Sequence, residues 1–228
     1  MTENVPTATG SARVSTRTLL TCGIVAGPLY IAVVVLQMLT REGFDIGRHP
    51  ASLLSNGDLG WVQIANFLLT GALTIAAAVG IRRALRSRPG GTWGPRLLGL
   101  YGAGLIAAGT FVADPAFGFP AGTPDGPPVT VTWHGLAHFV TAGVGFLGLI
   151  AACFVFARSF AAAGRRGWAA FSVATGAVYL VAFAGIASGQ QIAALNVAFG
   201  VAVVLAWAWL SALSVRLFRH AGDSGRDR

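Results

Sequence analysis

The stretch GFDIGRHPASLLSNGDLGWVQIAN, Gly43 to Asn66, decides how this chain is read. It carries Asp45, Arg48, His49, Ser52, Ser55, Asn56, Asp58, Gln63 and Asn66, and it joins two long apolar runs, Leu19–Leu39 and Trp61–Ile81. Polar groups are costly inside a bilayer and gather where a chain leaves it and turns back. The stretch therefore predicts a polar cap at one end of a helical membrane bundle.

The rest of the chain agrees. Of 228 residues 54% are hydrophobic and only 11% charged, against about 25% charged in a soluble domain. Further apolar runs cover Leu97–Ala113, Trp133–Ala157, Trp168–Ser188 and Ile192–Leu217. A spanning helix needs about 20 apolar residues, within about 17–25, and all six runs meet this, the third at the short end. The expected fold is all-α: six transmembrane helices over about 19–39, 61–81, 97–113, 133–157, 168–188 and 192–217. A disordered tail at 1–18 and a second tail at 218–228 flank this 19–217 domain. Leu19–Leu39 is too long for a signal-peptide core of about 7–15 residues. Small-residue pairs at Gly23/Gly27 and Gly185/Gly189 would let helix backbones approach closely. Pro28 would free a carbonyl that a neighbouring helix must satisfy. Cys22 and Cys153 lie in apolar runs without metal-ligand spacing and read as small buried hydrophobes.

Arginine orients the bundle. Lysine is absent, so all sixteen basic residues are arginine. In a six-helix arrangement fourteen of them fall on one side: Arg13 and Arg17, then Arg82, Arg83, Arg86, Arg88 and Arg96, then Arg158, Arg165 and Arg166, then Arg216, Arg219, Arg226 and Arg228. Only Arg41 and Arg48 fall on the other side, with Glu42, Asp45, Asp58, Asp114 and Asp125. The positive-inside rule places the fourteen, and both termini, on the cytoplasmic side of the cell membrane. The same split makes the high net charge a property of the lipid surface, with no nucleic-acid partner expected.

Helical rise then gathers residues that are far apart in sequence. Counting outward from the arginines, Asn66 lies roughly 24 Å from Arg82, and Asp114 roughly 27 Å from Arg96. His138 and Asn196 lie roughly 30 Å from Arg158 and Arg216, and Gln37 a similar height from Arg17. In a hydrocarbon core of about 30 Å these polar groups share one outer layer and should face the bundle interior. Gln63, Asn66 and Thr70 lie on one stripe of the second helix. His134 and His138 are one turn apart on the fourth. After Asp114-Pro115 comes a turn-rich segment with Phe117 and Phe119, expected to fold over the bundle mouth.

These residues support two kinds of chemistry. One is a metal site of His49, His134 and His138 with Asp114 or Asp58 as a further ligand or base. Zinc is the ion such a set would hold, and Ser52 or Asp58 would assist proton transfer in hydrolysis of a lipid amide or ester. The other is a non-catalytic pocket for a small molecule or lipid, drawn from Asp45, Arg48, His49, Ser52, Asp58, Gln63, Asn66, Asp114, Trp133, His134 and His138. Plainer roles remain for the same residues. The histidines could brace the outer loops, Asp58 could cap the second helix, and Asp45 could pair with Arg48. Trp61 and Trp133 could anchor the interface. A transporter is disfavoured, because no ionisable residue lies at mid-membrane and no inverted repeat is evident.

The run from His49 to Phe67 resembles the bacterial membrane family catalogued as domain of unknown function 998. So do Asp114-Pro115 with Gly118-Phe119-Pro120, and Trp133-His134-Gly135 with His138. The resemblance implies a multi-helix membrane protein and no particular activity.

Overall fold

The computed structural model describes residues 14–86 and 88–223. They form six helices: α1 Thr16–Thr40, α2 Gly60–Ala84, α3 Trp93–Thr110, α4 Trp133–Ala162, α5 Arg166–Ala187 and α6 Ala193–Asp223. A short 3-10 helix, Ala51–Ser55, lies between α1 and α2. Each helix packs on its neighbours in sequence and α6 returns onto α1, so the six close a ring. Five helices are long and apolar enough to cross a membrane, which makes this a multi-pass membrane protein. The exception is α3. It is 18 residues long and its sequence spends positions on Pro95, Arg96 and five glycines.

Those glycines explain where α3 sits. A Cβ on Gly102 would lie 2.8 Å from the Gly71 carbonyl of α2, and one on Gly104 would lie 2.8 Å from Gly145 Cα of α4. Bare backbone thus wedges α3 between α2 and α4, as small residues do in bilayers.

Closure of the ring depends on α1 against α6. Gly23 and Gly27 face Ser214, Trp207 and Ser211. Pro28 leaves the Ile24 carbonyl without its helical donor. The Ser211 hydroxyl supplies one instead, 3.2 Å from Ile24 O and 3.3 Å from Gly23 O. The second small-residue pair does not make a comparable seam. Gly185 meets Leu195, but Gly189 lies beyond the end of α5 in a left-handed turn with φ +71° and open space around it.

Several helices outrun the expected apolar runs, and two of them enter the expected tails. The first is the N-terminal tail. Residues 1–13 lie outside the described residues, whereas Thr16 already belongs to α1, capped by the Ser15 hydroxyl. At the other end, α6 runs on to Asp223, through the first residues of the expected tail.

The bundle interior is aromatic. Tyr30 and Tyr101 both pack on Trp207, with ring centroids 5.2 and 5.7 Å away. Tyr179 packs on Phe146 and Phe199. The chain has only three tyrosines, and all three are buried here.

Candidate functional site

The connection after α1 and the loop between α3 and α4 meet at the acidic end and form a cap. Arg41 ties the first to itself. Its guanidinium donates to Leu54 O at 3.1 Å and Asn56 O at 2.6 Å, and lies over the Phe119 ring. Burial pulls the Arg41 pKa below the ordinary arginine range, opposed by the nearby Asp58 carboxylate. The Asn56 amide donates across to Ala113 O, just past α3, at 3.0 Å.

His49 is the pin between the two loops. Its Nδ1 accepts the Asp45 N–H at 2.9 Å, so the ring proton sits on Nε2, which donates to Phe117 O at 2.9 Å. Phe44 and Phe119 flank the ring. Phe117 takes φ +59°, a left-handed conformation that bulky residues rarely adopt. Its N–H is held by Gly126 O at 2.7 Å, and its carbonyl accepts from His49.

Asp114 and His138 fasten α4 to α3. The Asp114 carboxylate accepts the Thr132 N–H at 2.9 Å and the Thr132 hydroxyl at 2.6 Å. Thr132 in turn caps α4 through Gly135 N–H. Gly135 has no side chain, and the carboxylate occupies the space where a Cβ would be. His138 Nδ1 donates to Phe111 O at 2.8 Å and Ala108 O at 3.1 Å, satisfying carbonyls at the end of α3.

The expected metal set does not assemble. Both ring nitrogens of His49 are engaged with backbone. His134 is exposed and stacked on Trp133, with centroids 3.6 Å apart, while His138 turns inward to α3. Among the described residues no three His, Cys, Asp or Glu side chains are placed to hold a metal ion.

Two expected local contacts also differ. Asp58 is exposed and does not cap α2, whose cap position is Leu59 without a side-chain bond. Arg48 pairs with Asp125 at 2.7 Å rather than with Asp45, whose carboxylate accepts Gly47 N–H instead. Ser52 is half-buried, and its carbonyl accepts the Ser55 hydroxyl. Trp61 and Trp133 are exposed. Asn196 reaches the cap from α6, donating to Gly47 O at 3.1 Å.

Beneath the cap lies a layer of amides. Gln37 Nε2 donates to Gln63 Oε1 at 2.8 Å, and Asn66 Nδ2 donates to the same oxygen and to Tyr30 O, each at 3.3 Å. All three side chains are buried, Gln63 completely. Yet Gln37 Oε1, Gln63 Nε2 and Asn66 Oδ1 have no protein partner. Tyr30 is a polar neighbour of the Gln63 side chain. In the aromatic interior, Tyr179 Oη and Trp207 Nε1 are likewise unpartnered. The layer offers one N–H donor group and two carbonyl acceptors, all uncharged. That donor set suits a neutral hydroxyl, amide or carbonyl group better than an ion. Sequence reading singled out Gln63 and Asn66 and placed Gln37 in their layer, but missed Tyr30, Tyr101, Tyr179 and Trp207. An aromatic within an apolar run reads as core, and only the scarcity of tyrosine hinted otherwise.

Residues 24–216 match the model of a family described as protein of unknown function (DUF998). No curated protein and no solved structure matches the chain.

Proposed function

We propose that this chain, which belongs to the DUF998 family, binds or senses a small neutral polar molecule, or the polar group of a lipid, at the amide layer of Gln37, Gln63 and Asn66. The proposal includes six membrane crossings, with both termini on the cytoplasmic side of the cell membrane. The arginine asymmetry supports that orientation. The cap would then close the site on the external side.

One observation carries this reading: three amide atoms, on side chains that already touch one another, are buried without partners. An unsatisfied buried polar group costs about 1–3 kcal/mol. A bound polar molecule removes that cost, and a set of convergent donors and acceptors specifies it.

The test compares wild type with Gln63→Leu, purified in native-lipid nanodiscs. Bound molecules are identified by mass spectrometry of the extracted protein, and thermal unfolding is measured alongside. The expected result is a co-purifying polar molecule that Gln63→Leu loses, together with a lower unfolding temperature. Wild type carrying only solvent would overturn the reading, as would a polar molecule that Gln63→Leu retains equally well. A change in stability alone does not decide, because Gln63→Leu also strips the acceptor shared by the Gln37 and Asn66 amides.

A further inference from the structure

At the basic end, away from the amide layer, α1 carries a groove of about 410 Å³. Arg17, Thr18 and Thr21 form its mouth at the basic end of α1, Val25 and Leu73 line the part further along the bundle, and Phe218 of α6 forms one wall. The lining changes from cationic and hydroxylic to apolar along the helix axis. From Arg17 to Val25 is eight residues, about 12 Å of rise, most of one leaflet of a bilayer whose core is about 30 Å thick.

The Arg17 guanidinium lies 4.2 Å over the Phe218 ring. Stacking fixes the plane of the group and leaves its N–H edge free to fork onto an oxyanion. Arg83 reaches the same end of α1, donating to Val14 O at 2.8 Å. Apart from Asp223 at the end of α6, the described acidic residues lie at the opposite end of the bundle. Among the described residues the arginines of the basic end make no ion pair. A second cavity of about 340 Å³ repeats the pairing of arginine with apolar wall, through Arg165, Arg166, Trp168 and Phe171.

We infer that the α1 groove is a seat for an anionic phospholipid, with the headgroup phosphate on Arg17 and an acyl chain lying along Val25 and Leu73. A free phosphate would use the mouth alone and leave the apolar part of the groove without a role.

The test is native mass spectrometry of the full chain in detergent after addition of phosphatidylglycerol or phosphatidylcholine. Wild type should retain phosphatidylglycerol about fivefold better, the preference expected from one surface arginine. Arg17→Gln should abolish the preference. Arg88→Gln, an exposed arginine outside the groove, should preserve it. Val25→Trp fills the groove at an exposed position and leaves the charge intact. It should lower retention of both lipids. Equal losses in Arg17→Gln and Arg88→Gln would show a diffuse surface field and overturn the inference. So would retention unchanged by Val25→Trp, or displacement of the lipid by millimolar inorganic phosphate.

Discussion

Replacing Gly135 with alanine tests whether the acidic end is held as the structure describes. An added Cβ would overlap the Asp114 carboxylate, which is 8% exposed and has little room to move. Displacing it gives up two hydrogen bonds from Thr132, at 2.9 and 2.6 Å. Each bond to a charged acceptor contributes about 1.5–3 kcal/mol. Alanine's better helix propensity returns about 1 kcal/mol. The expected net loss is about 2–4 kcal/mol after partial relaxation. At about 2–4 °C per kcal/mol for a chain of this length, the unfolding temperature falls by about 4–16 °C. The chain supplies its own reporter, because Cys153 is fully buried. In a Cys22→Ser background, a thiol-reactive dye would follow its exposure on heating. Gly143→Ala, on the same helix, is the control. A Cβ there meets only Phe183, at 3.5 Å, so the substitution should be neutral or stabilising. If Gly135→Ala melts with Gly143→Ala or above it, the carboxylate is not seated on α4 and the account of the α3–α4 junction fails.

Three further outcomes follow from the same packing, each read by thermal unfolding in detergent. Ser211→Ala should cost about 0.6–1.5 kcal/mol by stripping the donor from the Ile24 carbonyl. In a Pro28→Ala background the restored N–H takes that carbonyl, and the cost should fall below about 0.5 kcal/mol; a fully additive double mutant would refute the pairing. Arg41→Ala should cost about 2–4 kcal/mol, because two carbonyls lose a charged donor. Arg48→Ala, which removes an exposed ion pair, should cost under about 1 kcal/mol, and equal effects would contradict the distinction. Gly102→Leu should disrupt the bundle outright, since even a Cβ crowds the Gly71 carbonyl; retention of a monodisperse, wild-type-like melt would show that α2 and α3 are not in backbone contact.

The helices were legible because runs of apolar residues leave few alternatives in a bilayer. Counting rise also worked: Gln37, Asn66, Asp114, His138 and Asn196 all lie at the acidic end, and Asn196 touches the first loop. Spacing failed for the histidine pair. His134 and His138 are one turn apart, but α3 stops at Thr110, and its last carbonyls shelter only the inner of the two. His134, one turn further out, has no such wall and stacks on Trp133. The Asp45–Arg48 pairing failed for a related reason. Proximity in sequence could not reveal that the α3–α4 loop brings Asp125 alongside Arg48. The tyrosines were hidden because hydropathy gives no sign of which aromatics face the bundle axis.

The contrast between the two polar layers bears most directly on function. In the cap, the buried side chains of His49, Asn56, Asp114 and His138 all bind backbone or neighbouring side chains. Such groups have little capacity left for a ligand, and changing them would mainly loosen loops. One layer inward, Gln37, Gln63 and Asn66 bond to one another through Gln63 Oε1 and leave a donor and two acceptors open. A purely structural cluster would gain by satisfying or replacing those atoms, as buried polar networks do when they serve only the fold. Cap mutations should therefore lower stability with or without a bound molecule. Amide-layer mutations should cost more when one is present than when it is absent, so a titration of melting temperature against lipid extract would separate the two layers.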